Sequence, residues 1–227
     1  MNIILIILVF GVIVFFHEFG HFIVAKMNKI AVMEFSIGMG PAIFSIQKKE
    51  TKYSLRLLPI GGYCMMMGED GESEDENAFN NKPLLARILV IAAGPVFNFI
   101  LAFVFSIVLI HFTGCDPARL TTVVEHSAAE DAGIVVGDTV TAINGKKIYN
   151  YREILLYMQA ENPSKPVTLS IEHADGSKES VVVTPKVDNE GNYKLGVAGG
   201  YVASTGSGND IKYAGLELRY WVKATVT

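Results

Sequence analysis

Cysteine is scarce in this chain. Two thiols, Cys64 and Cys115, in 227 residues cannot make a disulfide framework, and no Cys-based zinc ribbon can be built from two. Basic charge is also short. Nineteen Lys and Arg against 23 Asp and Glu leave a net charge of −4 and a pI near 5.7, so no nucleic-acid partner is expected, because bulk binding to phosphate needs a basic surface. A disordered chain is excluded from the other side, since half of the residues are hydrophobic and the mean hydropathy is +0.34. What the sequence has is apolar residue in two blocks, with soluble-looking sequence around them.

The first block, Ile3–Ala25, has only His17, Glu18 and His21 as strongly polar members, and the second, Ile88–Thr113, carries no formally charged side chain. About 20 apolar residues span a bilayer core, so both blocks are long enough to cross. The first lacks the basic start and small-residue cleavage site of a signal peptide, and Lys26 ends it. Lys26, Lys29, Lys82 and Arg87 all lie between the blocks. That asymmetry predicts a cytoplasmic loop there and an external location for everything after Thr113. The two cysteines then fall on opposite sides and cannot meet.

Between the blocks, Ala42–Gln47 and Tyr53–Leu58 read as two short strands joined by a Lys48–Lys52 turn, with glycines at 38, 40, 61 and 62 marking the ends. Six acids among the eight residues Glu69–Glu76 read as a solvated loop. Past Thr113 the pattern becomes that of a small α+β domain over 115–200. Its expected strands are Leu120–Val124, Thr139–Asn144, Val167–Glu172 and Ser180–Pro185, and its helix is Tyr151–Gln159. Residues 201–227 read as a Gly/Ser-rich linker followed by the start of a helix.

The chemistry concentrates in His17-Glu18-Phe19-Gly20-His21, an H-E-x-x-H pentapeptide on a predicted helix. At about 100° per residue the two imidazoles lie about 40° apart, one turn apart on the same face. That spacing suits two ligands of one Zn²⁺, with Glu18 beside them as general base. Two histidines and a glutamate in mid-span are costly unless they have a function. A catalytic zinc takes three protein ligands and a water, so two histidines leave the site short of one. Asn98 on the second block is a weak candidate ligand, or an interhelical hydrogen bond. His111 reads as interfacial, and His126 and His173 belong to the external domain.

Phe15–Phe22, Gly38-Met39-Gly40-Pro41, Pro59–Tyr63 and Ala93-Gly94-Pro95-Val96-Phe97-Asn98 together resemble the motifs of the site-2 protease family of intramembrane zinc metalloproteases, in its bacterial regulator-of-sigma-E form. The resemblance covers residues 1 to about 113. Ser127–Ile134 with Gly137–Gly145 is similar to a bacterial PDZ domain, and Lys194-Leu195-Gly196-Val197 to the loop that receives a peptide's terminal carboxylate. The implied fold is a membrane α-helical core over 1–114, with spans 3–25 and 88–113 and a re-entrant β-hairpin at about 38–62, followed by an α+β PDZ-like domain.

The implied activity is zinc-dependent cleavage of the transmembrane segments of membrane-anchored substrates, such as anti-sigma factors or remnant signal peptides, in regulated intramembrane proteolysis. The implied location is the bacterial inner membrane, multi-pass, with the PDZ-like domain outside the cytoplasm. Partners would be the lipid bilayer, a transmembrane protein or peptide substrate, and a peptide C-terminus at the PDZ-like groove. The implied roles are metal ligation by His17 and His21, catalysis by Glu18, and substrate binding by Asn98, Gly94, Ser54, Leu55, Gly196 and Val197. The family's third ligand is an Asp in a Leu-Asp-Gly motif, which this sequence lacks; its helix near 216–227 would lead on to a further span. The other reading is a membrane-tethered PDZ adaptor without catalysis.

Overall fold

The computed structural model describes residues 3–71, 73–161, 163–188, 191–203 and 206–226. Glu72 of the acidic run, residues 204 and 205 of the Gly/Ser-rich stretch, and Thr227 therefore lie outside the described residues. The chain divides into two compact units, Met1–Ala102 and Phe103–Thr227.

The first unit begins with α1 (Ile3–Met27), continues through β1 (Val32–Lys48) and β2 (Thr51–Met66), passes a 3₁₀ turn at Phe79–Asn81, and enters α2 (Leu84–Thr113). Both α1 and α2 are long and apolar enough to cross a bilayer. Only Gly20 and Ala25 of α1 are buried, whereas the core helix of a soluble domain would bury its apolar residues. Gly20 is there because α2 comes close. A methyl at that position would stand 2.6 Å from the Ala93 carbonyl oxygen and 2.9 Å from Phe97. Small residues permit such approach where backbone packing must hold helices together.

The strand region is larger than the hairpin read at 38–62. β1 and β2 each fold over, so that residues 51–56 of β2 pair with both 42–48 and 32–37 of β1, and 32–37 pairs also with 62–66. Ser45 and Gln47 pair with Ser54 and Lys52, as a hairpin requires, but Ser36 pairs both with Ser54 and with Tyr63. The four segments therefore line up as 42–48, 51–56, 32–37 and 62–66. Gly38 sits at the bend with φ +84°, and any side chain there would run into the Leu58 carbonyl oxygen at 2.4 Å. A buried polar knot fastens the layers: Glu34, 7 % exposed, accepts from Ser54 Oγ at 2.5 Å and from Arg56 Nη2 at 2.8 Å. Arg56 also donates to the Tyr63 hydroxyl and to the Gly40 carbonyl at 2.6 Å.

The second unit contains β3 (Leu120–Val123), α3 (Ala128–Asp131), β4 (Thr139–Ile143), β5 (Lys146–Lys147), α4 (Tyr151–Glu161), β6 (Val167–Glu172), β7 (Lys178–Val183), β8 (Lys186–Val187), β9 (Tyr193–Lys194), β10 (Val197–Gly199) and α5 (Ser207–Val226). Its central sheet runs β5-β4-β6-β7. The period of two is plain in β6, where Val167, Leu169 and Ile171 are each 1 % exposed and pack with Leu120, Ile143, Ile154 and Val183 in one core. Asn144 and Gly145, with φ 46° and 76°, form the tight turn between β4 and β5. This is the α+β domain that the resemblance implies, with β6 at the expected bounds.

α5 covers the stretch read as the start of a helix, while residues 201–203, read as linker, make contacts of their own. Cys115 and Val202 exchange backbone hydrogen bonds of 3.0 and 2.8 Å. Ala214 of α5 is buried with Ile110 and Cys115, and Arg152 of α4 bridges Asp116 at 2.8 Å and Glu217. Glu153, fully buried, accepts from Arg219 at 2.8 Å. Sequence spacing alone could not anticipate ion pairs that join residues 36 to 66 positions apart.

Candidate metal and peptide sites

α1 presents His17 and His21 on one face, as the spacing predicts. Their rings lie 4.9 Å apart at 80°. The His21 Nδ1 is 2.7 Å from the Val90 carbonyl oxygen on α2. A carbonyl can only accept, so Nδ1 carries the proton and Nε2 keeps its lone pair. Gly94 is where the Nε2 atoms of both rings point. A methyl built on it would stand 2.5 Å from His21 Nε2 and 2.7 Å from His17 Nε2. Both Nε2 atoms thus converge on the same bare stretch of α2, and only glycine leaves room for them.

This arrangement fits a zinc ion. Imidazole nitrogen is a ligand that zinc takes at about 2.0–2.1 Å, and Nδ1 anchored to a carbonyl is the usual support of a ligating histidine. The donor set is incomplete, since no group of three His, Cys, Asp or Glu that could hold a metal occurs among the described residues.

Glu18 lies against the sheet. Gly62 would place a methyl 3.4 Å from Glu18 Cγ. A cavity of about 500 Å³ adjoins these groups, lined among others by Glu18, His21, Cys64, Glu69 and Asp70. The first two acids of the run expected to be solvated loop therefore face this cavity. Glu69 also accepts from the Met66 N–H at 3.3 Å. No sequence signal separated them from the rest of the run.

Asn98 is beside His17, with its Nδ2 3.2 Å from His17 Nδ1, which bears out the interhelical contact considered for it. Ser54 and Leu55 are placed differently from expectation. Ser54 pairs with Ser36 on one side and Ser45 on the other, and Leu55 with Ile37 and Phe44. Their backbones are interior to the sheet and offer no free edge to a substrate strand.

Gly196 and Val197 are in the second unit. Gly196 packs so tightly on Ser127 that a methyl would lie 2.1 Å from its Cβ, and its carbonyl accepts from Val124 at 2.8 Å. The Val197 carbonyl, on the side of β10 away from β3, accepts from the Tyr151 hydroxyl at 2.9 Å. Burial pushes that phenol above its ordinary range. The edge expected to receive a peptide terminus already has its first acceptor taken. His111 and His173 are engaged elsewhere, with Asp210 at 3.1 Å and Asp138 at 2.8 Å.

Residues 5–212 match the pattern of peptidase family M50. A Clostridium acetobutylicum protein is 38% identical over 197 residues, covering 87% of this chain and 58% of the relative. "Zinc metalloprotease RasP" of Geobacillus kaustophilus is 30% identical, covering 100% of this chain and 73% of the relative. "Regulator of sigma-W protease RasP" of Bacillus subtilis is 29% identical, covering 86% and 66%. The chain thus spans 58% of the length of the clostridial relatives. Among solved structures, the PDZ domain of an SdrC-like protein from Listeria monocytogenes aligns with 37% of this chain and 87% of its own, at 20% identity and a TM-score of 0.33.

Proposed function

The chain belongs to peptidase family M50, and from that we propose that it supplies the two histidine ligands and the general base of an intramembrane zinc metalloendopeptidase. The observation that carries the reading is the convergence of both Nε2 atoms on Gly94 with Glu18 next in sequence to His17, all on a helix apolar enough to cross a bilayer. We assign the third ligand to the part of the relatives' length that this chain does not span.

His17 and His21 would hold the zinc, which would supply a Lewis acid for the scissile carbonyl and a lowered pKa for water. Glu18 takes the proton of the attacking water on its carboxylate and delivers it to the departing amine nitrogen. Glu18 lines the cavity beside Cys64 and His21. The cavity lined by Glu69 and Asp70 gives water a polar route to a site otherwise walled by apolar side chains.

The substrate is a transmembrane segment of a membrane-anchored protein, with anti-sigma factors and remnant signal peptides as the class proposed. Its helix must unwind to expose a carbonyl, and unpaired backbone is costly in hydrocarbon. The segment 62–66, on the outer side of the sheet and next to Glu18, is the edge that offsets that cost. The proposed location is the bacterial inner membrane, with 115–200 outside the cytoplasm.

The test is Glu18→Gln in the whole protein, assayed on a helical membrane substrate. Expected are retained zinc and a loss of turnover of about 10²–10⁴-fold. Undiminished cleavage removes Glu18 as the base. A protein that holds no zinc and cleaves nothing is instead a membrane-tethered adaptor.

A further inference from the structure

The two imidazoles are supported unequally. His21 gives its Nδ1 proton to a backbone carbonyl, which can only accept. The Nδ1 of His17 faces a side-chain amide, whose two ends have opposite hydrogen-bonding character. With Nδ2 toward His17 at 3.2 Å, Asn98 Oδ1 is left buried with no hydrogen-bond partner. An amide nitrogen only donates, so in that orientation His17 Nδ1 must be bare and its proton must sit on Nε2. Yet Nε2 is the atom beside Gly94, and a protonated nitrogen cannot bind a metal.

A half-turn of the amide exchanges its ends. Oδ1 then faces His17 and accepts from a protonated Nδ1, while Nε2 keeps the lone pair a metal needs. His17 and His21 become equivalent: each has its Nδ1 proton taken by α2 and its Nε2 directed at Gly94.

We infer that Asn98 is a positioning residue for His17, accepting its Nδ1 proton through Oδ1 and thereby turning an unprotonated Nε2 toward the metal. The inference rests on the proposed metal site, and it assigns Asn98 to the ligand rather than to the substrate. A carboxylate at position 98 would serve, since it accepts at either oxygen. An apolar side chain of the same size would not.

The experiment uses the whole protein in detergent micelles, titrated with Co²⁺ read by its visible absorption and then with Zn²⁺ in competition. His17→Ala is the control for the site, and helical circular dichroism checks each variant's fold. Asn98→Leu is expected to bind about ten- to a hundredfold more weakly than the unsubstituted chain, the usual effect of losing a ligating histidine's partner. Asn98→Asp is expected to bind close to the unsubstituted chain.

If His17→Ala lowers binding but Asn98→Leu does not, the metal reading stands and this inference is overturned. Equal losses in Asn98→Asp and Asn98→Leu overturn it too. If His17→Ala changes nothing, the metal reading fails and the inference falls with it. A readout that needs no substitution is the ¹⁵N spectrum of the metal-free chain labelled at histidine. His17 is expected as the Nδ1–H tautomer, and the Nε2–H tautomer would overturn the assignment.

Discussion

Gly94→Ala separates the metal site from the fold that carries it. The added methyl would stand 2.5 Å from His21 Nε2 and 2.7 Å from His17 Nε2, about 0.7–0.9 Å inside ordinary van der Waals contact. Both rings must swing away by nearly that much, whereas metal–ligand distances tolerate only about ±0.2 Å. Metal affinity should fall about a hundredfold or more, beyond the loss expected when only a ligand's support is removed. Stability should change far less. Alanine in a helix interior gains about 1 kcal/mol over glycine. Moving His21 off the Val90 carbonyl leaves a buried partner unsatisfied, at a cost of about 1–3 kcal/mol. The net is a destabilisation of about 0–2 kcal/mol, set by those two terms. The assay pairs Co²⁺ titration with thermal unfolding of the same chain. Gly215→Ala on α5, where an added methyl meets nothing within 4 Å, reports the propensity gain alone. Wild-type metal affinity in Gly94→Ala would refute the convergence of the two Nε2 atoms.

The parts of this structure that were legible in the sequence are those carried by short-range pattern. Apolar run length marked α1 and α2, alternation marked β6, and Asn144-Gly145 marked its turn. The H-E-x-x-H spacing placed His17 and His21 on one face because helical periodicity needs no knowledge of the partner. The long-range pairings were not legible. Ser54 reads as one residue of a simple hairpin, and only the fold-over of β1 and β2 puts it between Ser36 and Ser45. Glu34 looks like one more charge, yet a serine 20 residues on and an arginine 22 on bury it. Asn98 was recognisable as polar glue on a span, but which atom of His17 it meets depends on how α1 and α2 pack. Glu69 and Asp70 were hidden inside an acidic run whose composition suggests only solvation. Residues 201–203 read as a tether because glycine and serine dilute the pattern around them, and α5 reads as a helix by its spacing, but their contacts with Cys115 and Arg152, distant in sequence, leave no local signal.

Two further outcomes concern the second unit, whose unfolding Trp221 fluorescence on α5 can follow. Ile154→Ala empties a site 1 % exposed in the core and should cost about 2–5 kcal/mol, read as a lower urea midpoint; a change under about 1 kcal/mol would deny that α4 anchors this core. The His173 pair gives a pH dependence of determined sign. The hydrogen bond to Asp138, supported by Glu179, holds the imidazole above its ordinary value near 6.5. Below that value His173 is protonated in both folded and unfolded chains, and its contribution to stability is fully present. As pH rises past it the unfolded chain gives up its proton first, and the contribution fades as pH climbs through the raised folded value. The urea midpoint should therefore decline from mildly acidic to alkaline pH more steeply in the unsubstituted chain than in His173→Gln, which has no proton to lose. Parallel curves for the two would mean that the Asp138–His173 pair is indifferent to charge, and that the packing around Asp138, only 1 % exposed, rather than its ion pair, holds the start of β4 in place.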